Sequence, residues 1–185
     1  MPMTAGWDRD VLPWLSSKGA ATIAHPGGNL LSHLRRTADR LVEWDAGPSL
    51  VLAGLCHAAY GTHGFAVALI PVAERSALAR LIGGEAEAIV YAYCSVDRMH
   101  GLPGVDGVGV TVRDRFTGAE TTPSPEVLRQ LIELSSANEL DVLLHVPEAA
   151  RPQVAAWLSR CSRLASPRAG VAVSAALRTM NPGGA

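Results

Sequence analysis

The chain has 185 residues, of which 48% are hydrophobic and 18% are charged, and its formal net charge at pH 7 is −1. This hydrophobic fraction supports a packed core and excludes an intrinsically disordered chain. The balanced charge argues against the basic surface that a nucleic-acid-binding protein carries. The length predicts one domain over 1–185, with a core at about 20–141 and C-terminal helices at 147–180 packed on it.

The first half of the sequence predicts helices separated by glycine-rich turns. A short helix over 8–17 precedes a turn over 25–29, where Asn29 is placed to cap the next helix. Residues 30–44 carry apolar side chains at steps of three or four, as an amphipathic helix does. Residues 50–60 are apolar on every side, which is typical of a buried central helix.

The second half predicts further helices around one insertion. Residues 97–107 are rich in Gly, Pro and Asp and indicate a loop, and 108–122 alternate in a way that favours a small β-hairpin. The fold class is therefore all-α, with six to eight helices in total. The predicted helices of this half cover 71–82, 85–96, 125–140, 147–164 and 168–180.

The sequence also predicts a cellular compartment. The three cysteines have no CxxC spacing, which favours a reducing environment. The N-terminus lacks the basic and apolar regions of a signal peptide, and the longest apolar run, 65–73, is too short to span a bilayer. We therefore expect a cytoplasmic protein with neither a membrane nor a nucleic acid as partner.

The six histidines are unusual in a chain with so few charges. His33 and His57 lie on consecutive predicted helices whose apolar faces must meet, His25 precedes the first helix, and His63 follows the second. A short connection between two such helices brings all four side chains to one end of the bundle. Because buried imidazoles need partners, this cluster requires either a metal ion or hydrogen bonds.

A metal at this cluster would be one that imidazole suits, and we expect Fe or Zn, or no metal at all. Asp141 is the best candidate for a completing carboxylate, and Glu87 and Asp97 are alternatives. The predicted metal ligands are therefore His25, His33, His57 and Asp141.

Other polar residues near the cluster are candidates for catalysis. Tyr60 and Thr62 lie on a glycine-flanked loop beside His57 and His63, where each either contacts a ligand or fixes the loop by a hydrogen bond. The predicted catalytic residues are His57, His63, Tyr60 and Thr62. His145 is interpreted as a packing or capping residue at a helix boundary, and His100 as a solvated loop residue with a role at the edge of the site left open.

The order of these residues resembles the HD-domain superfamily of helical metal-binding domains. His33, His57 and Asp141 match its first histidine, its second histidine and its distal aspartate. The resemblance is closer to small bacterial HD-like domains without assigned function, in the His25-Pro26-Gly27-Gly28 turn and the AGLCHAAYGT segment at 53–62. Ala58 replaces the aspartate of the superfamily's His-Asp pair, which argues against a dinuclear site and against phosphohydrolase activity.

Three functions follow as hypotheses. The first is an enzyme acting on a small organic substrate, either by oxygenation at iron or by acid–base chemistry such as isomerisation, elimination or hydrolysis. The second is a catalytically inactive HD-like domain that keeps a ligand-binding or regulatory role. The third is a homodimer formed through the C-terminal helices.

Overall fold

A computed structural model describes residues 9–97, 110–143, 145 and 147–180. Within these residues the chain is all-α with two small β-hairpins, which confirms the predicted fold class. His100 and the first residues of the predicted hairpin lie outside the described residues. The helices are α1 (Val11–Ser17), α2 (Leu30–Glu43), α3 (Pro48–Cys56), α4 (Arg75–Ile82), α5 (Gly84–Ser95), α6 (Pro125–Val142), α7 (Arg151–Cys161) and α8 (Pro167–Met180), and the strands are β1 (Ala24–His25), β2 (Gly28–Asn29), β3 (Val112–Arg113) and β4 (Glu120–Thr121).

Helix α2 occupies the centre of the fold, in contact with both α3 and α6. The predicted cap is confirmed, since the Asn29 side chain accepts a hydrogen bond from the Ser32 amide at 2.9 Å. The apolar stripe of α2 is buried in the main core, and α3 also packs on α5. Helices α7 and α8 pack on α6 and on each other. No helix in the described part of the chain is long and apolar enough to cross a membrane.

Helix α3 starts earlier and ends earlier than the sequence predicted. Pro48 is its first residue, where the missing amide proton costs nothing, and the helix ends at Cys56. Tight turns follow, in which the Ala59 amide donates to the Cys56 carbonyl at 2.8 Å and Gly61 adopts a φ of 68°. His57 is therefore the C-cap residue of α3 and does not lie within a longer helix.

Three other helices also differ from the prediction. Helix α6 continues to Val142, two residues beyond the expected end, so Asp141 is part of the helix. The regions predicted as helices over 71–82 and 147–164 each begin with a separate 3₁₀ turn, at Val72–Glu74 and Glu148–Ala150. Both turns follow a proline in extended conformation, which sets the direction of entry before the α-helix begins.

Arg115 is one of the residues that join the second hairpin to the helical core. Val112 pairs with Thr121, and Arg113 pairs with Glu120, which confirms the expected hairpin. Arg115 follows β3 and donates from Nε to the Cys94 carbonyl at 2.7 Å and from Nη2 to the Gly61 carbonyl at 3.0 Å. The hairpin therefore ties the end of α5 to the turn after α3.

Helices α2 and α3 approach closely at Gly54, and this contact gives a first prediction. A Cβ atom at Gly54 would lie 2.5 Å from Leu41 Cδ1, in a fully buried environment. Gly54→Ala is therefore expected to lower the free energy of unfolding by about 1–3 kcal/mol, because an overpacked core must shift. Urea denaturation followed by circular dichroism measures the change.

Gly84→Ala is the matched control for Gly54→Ala. Gly84 is the exposed first residue of α5, and a Cβ there would have no atom within 4 Å. This variant is expected to change stability by no more than about 0.5 kcal/mol. Equal stability of the two variants would contradict the close packing at Gly54.

Candidate functional site

Two pairs of polar residues face each other across helices α2 and α6. His33 and Arg36 are three residues apart on α2, and Asn138 and Asp141 are three residues apart on α6. Residues at this spacing lie on the same face of a helix. Because α2 packs against α6, the two pairs meet in the core, and His57 at the end of α3 reaches them.

Three donor atoms form a small triangle at the centre of this cluster. His33 Nε2 lies 3.2 Å from His57 Nε2, and Asn138 Oδ1 lies 3.0 Å from the first and 3.1 Å from the second. The two imidazoles are buried, with 1% and 2% of their residue surface exposed, and Asn138 is partly exposed. We refer to these three atoms as the donor triangle.

The outer nitrogen of each imidazole has its own acceptor. His33 Nδ1 lies 2.7 Å from Asp141 Oδ2, and His57 Nδ1 lies 2.7 Å from the Gly54 carbonyl oxygen. Each Nδ1 therefore carries a proton and donates it outward. In a neutral imidazole this leaves a lone pair on Nε2, directed into the donor triangle.

The electrostatics of the cluster agree with this protonation. Burial and the nearby His33 lower the pKa of His57 to about 3, so His57 is neutral at physiological pH. Burial alone would raise the pKa of Asp141, but hydrogen bonds from His33 and Arg36 more than offset it, and the pKa lies well below the usual range. Asp141 is thus a carboxylate.

The orientation of the Asn138 amide completes the set of acceptors. Asn138 Nδ2 donates to Glu139 Oε1 at 3.3 Å, which turns Oδ1 toward the imidazoles. The opposite orientation would bring Oδ1 against the Glu139 carboxylate, placing two acceptors together. When each imidazole is protonated on Nδ1 alone, the donor triangle consists of three lone-pair atoms about 3 Å apart, and such an arrangement requires a cation or a shared proton between them.

Asp141 does not face the donor triangle. It lies at the outer nitrogen of His33, and Arg36 also contacts it through two hydrogen bonds, from Nε at 2.7 Å and from Nη2 at 2.8 Å. Of the three hydrogen bonds of this carboxylate that the structure shows, one is with His33 and two are from Arg36, so none is directed into the donor triangle. Its position is that of a supporting residue behind a ligand, and not of a ligand beside His57.

His25 covers one face of His33. The two rings are stacked with centroids 3.9 Å apart, and Phe65 contacts His25 edge-on at 5.3 Å. Burial, together with repulsion by His33, lowers the pKa of His25 to about 4. Its Nδ1 is buried and makes no hydrogen bond within the described part of the chain, so His25 closes the cluster by packing.

The predicted catalytic residues other than His57 make contacts away from the donor triangle. Tyr60 donates to Glu87 at 2.8 Å, and the Thr62 hydroxyl accepts from the Phe65 amide at 3.1 Å, which fixes its loop. His63 lies 3.6 Å from Asp97. His145, which was interpreted as a packing residue, is exposed and lies against the Gly27 turn.

Glu87 belongs to a second buried cluster. Arg75 donates to it from Nε at 2.7 Å and from Nη2 at 2.8 Å and stacks on Tyr91, and Tyr60 donates the third hydrogen bond. Every oxygen of Glu87 is therefore engaged. The alternative carboxylates Glu87 and Asp97 thus have partners of their own, and neither contacts His33 or His57.

Sequence reasoning missed two residues of the site. Arg36 and Asn138 are not among the candidate residues that the sequence pattern indicates. The matching three-residue spacings of His33 with Arg36 and of Asn138 with Asp141 are the signal that pairs these helix faces. Within the described residues, no group of three or more His, Cys, Asp or Glu side chains is arranged to hold a metal, and the third member of the triangle is the Asn138 amide oxygen.

Comparison with known proteins gives one match. Residues 14–98 match a protein family described as a domain of unknown function, DUF6817. This region includes His25, His33 and His57 but ends before Asn138 and Asp141. Neither the curated proteins nor the solved structures contain a match to the chain.

Proposed function

We propose that this protein is an enzyme for a small organic substrate, built around a mononuclear metal centre at the donor triangle. One observation carries the proposal: two imidazole nitrogens and an amide oxygen lie 3.0–3.2 Å from each other in the core. Ligands about 2.1 Å from one metal ion are roughly 3.0–3.4 Å apart in octahedral or tetrahedral geometry. The spacing of the triangle therefore fits three ligands of one ion.

The surroundings of the imidazoles also fit a metal centre. Histidine ligands usually donate their second ring proton to a carboxylate or a backbone carbonyl, which fixes the tautomer. His33 does so to Asp141 and His57 to the Gly54 carbonyl. Iron and zinc are the ions that suit two imidazoles with an oxygen donor.

The residues have distinct roles in this proposal. When bound, such an ion supplies Lewis-acid chemistry or, as iron, oxygen activation. Arg36 holds Asp141 as an anion, and Asp141 keeps the His33 proton on Nδ1. His25 and Phe65 cover the His33 ring and exclude water from that side. The substrate approaches from the partly exposed Asn138 side.

The charge of the site indicates the class of substrate. All three donors are neutral, and the Asp141 charge is balanced by Arg36. A divalent ion at the triangle therefore keeps its full positive charge, which favours a substrate with an anionic oxygen, such as a carboxylate or an enolate. The reaction remains either oxygenation or acid–base chemistry, and we place it in the cytoplasm.

Elemental analysis of protein prepared without a histidine tag tests the proposal. We expect about one Fe or Zn ion per chain, and a loss of at least tenfold in metal affinity in His33→Gln, His57→Gln and Asn138→Leu, since each removes a ligand. Asn138→Asp keeps an oxygen donor and is expected to retain the metal. Titration of the apo-protein with Co²⁺, followed by visible absorption, gives the affinities.

His63→Gln and Tyr60→Phe are the matched controls. Both change predicted catalytic residues that make contacts elsewhere, so both are expected to bind metal as the unaltered protein does. A metal-free native protein with no Co²⁺ binding would overturn the proposal. The triangle would then hold a shared proton, donated by a doubly protonated His33 to His57 and Asn138.

The second candidate is a ligand-binding module without turnover. The observation that favours it is the near-complete burial of His33 and His57. Azide added to the Co²⁺-loaded protein separates the two functions. A change in the visible spectrum indicates a coordination position open to small molecules, as an enzyme needs, and an unchanged spectrum favours the module.

A further inference from the structure

A separate groove lies between the C-terminal helices and the core. It has a volume of about 740 Å³, which is within the usual range for small-molecule sites, and α2, α6, α7 and α8 all contribute to its walls. Leu140, Leu143 and Leu177 form much of its apolar surface. None of the residues of the donor triangle lines it.

The charged groups of the groove are mainly cationic. Arg40 and Arg151 line it, and Glu148 is the one acidic residue among the described residues of its walls. The Nε of Arg40 is buried and has no hydrogen-bond acceptor in the part of the chain that the structure describes. The Arg40 guanidinium also lines the groove, where its planar set of donors matches the geometry of a carboxylate.

We propose that this groove binds an organic monoanion with an apolar body, such as a medium-chain carboxylate. The carboxylate pairs with the Arg40 guanidinium, which lines the groove, and balances the excess positive charge. The hydrocarbon chain covers the leucine side chains and removes their apolar surface from water. This site is distinct from the proposed metal centre, since Arg40 lies one helical turn beyond Arg36 on α2 and contacts none of its ligands.

The proposal is tested by measuring octanoate binding, both by calorimetry and by the shifts of amide signals in NMR spectra. We expect octanoate to bind at least tenfold more tightly than neutral octanamide, which shares its chain, and more tightly than inorganic phosphate, which lacks one. The shifted amides are expected on α6, α7 and α8 around the groove. Equal binding of octanoate and octanamide, or of octanoate and phosphate, would overturn the proposal.

Two variants locate the site. Arg40→Gln is expected to weaken octanoate binding by at least tenfold, while Arg35→Gln, an exposed arginine on the same helix, leaves it unchanged. Ala155→Leu narrows the groove without altering its charge and is expected to weaken the binding of octanoate as well. Undiminished binding in Arg40→Gln and Ala155→Leu contradicts the assignment. The metal content of these variants reports on the donor triangle independently.

Discussion

Replacing Asp141 by alanine is expected to lower the free energy of unfolding by about 3 kcal/mol or more. The change leaves the Arg36 guanidinium and the proton on His33 Nδ1 without their acceptor, and breaking a buried, hydrogen-bonded ion pair costs about 3–5 kcal/mol. The lower end applies because the Arg36 side chain is 38% exposed and can regain water. Urea denaturation of the apo-protein measures the change.

Asp39→Ala is the control for the loss of a carboxylate. Asp39 pairs with Arg35 at 3.9 Å on the exposed face of the same helix, and a surface pair of this kind contributes little. Its replacement is expected to change stability by no more than about 0.5 kcal/mol. In a double-mutant cycle, Arg36→Ala and Asp141→Ala are expected to show a coupling of about 1–3 kcal/mol. Additive effects would argue against the ion pair.

Acidification is expected to destabilise the apo-protein well above the range in which its carboxylates titrate. The pKa of His57 is about 3 in the folded protein and about 6.5 in an unfolded chain. Below pH 6.5 the unfolded state therefore binds a proton that the folded state excludes, and stability falls as the pH falls. At pH 5 the cost from His57 alone is about 2 kcal/mol relative to pH 7.5.

The neighbouring His25 and Asp141 also contribute to the pH dependence of stability, each in the direction set by its pKa shift. His25 also has a lowered pKa, of about 4, and adds to the same loss below pH 6.5, less strongly because it is partly exposed. Asp141, whose pKa is lowered, stabilises the folded state at any pH above the ordinary pKa of an aspartate. This stability is lost only as the pH falls below that pKa. The loss between pH 6.5 and 4.5 is thus assigned to the histidines.

Unfolding measured in a chelating buffer from pH 7.5 to 4.5 checks this assignment. His57→Gln has no proton to bind and is expected to show a shallower decline than the unaltered protein. His63→Gln, which changes a histidine on the surface loop, keeps the full decline. An identical pH dependence in the His57→Gln variant would show that His57 does not carry the effect.

The two predictions on Asp141 and His57 concern the same region for different reasons. Asp141 stabilises the fold as a charged carboxylate, because Arg36 and His33 donate hydrogen bonds to it. His57 stabilises it only as a neutral group, because burial and the nearby His33 disfavour a positive charge on its ring. The cluster thus depends on one ionised and one neutral residue, and a metal at the donor triangle would hold His57 in its neutral form by occupying Nε2.

Local sequence patterns alone were sufficient to predict most of the fold. The apolar periodicity of α2, its Asn29 cap and the apolar character of α3 predicted a central helical pair, and alternation predicted the second hairpin. The helix ends were less well determined, because termination at Cys56 and at Val142 depends on turns and contacts with other helices. Those ends decide whether His57 is a cap residue and whether Asp141 lies on a helix.

Several residues of the candidate site were also identified from the sequence. Of the four histidines predicted to converge, His25, His33 and His57 are in contact and His63 lies against Asp97 instead, while Asp141, a predicted metal ligand, contacts His33. Tyr60, Thr62 and His63 follow His57 closely along the chain but make contacts elsewhere, because the turns after α3 reverse the chain. Proximity along the chain was therefore a poor guide to proximity in space there.

The sequence by itself determined that this is a helical protein with an unusual group of buried histidines. Only the tertiary structure decided how the histidines are used, since α6 is distant in sequence and supplies both Asn138 and Asp141. It placed the carboxylate on the outer nitrogen of His33 and the amide between the two inner nitrogens. The reason is geometric: hydrogen-bond direction at an imidazole depends on which helix faces each edge of the ring, and helical packing sets that arrangement.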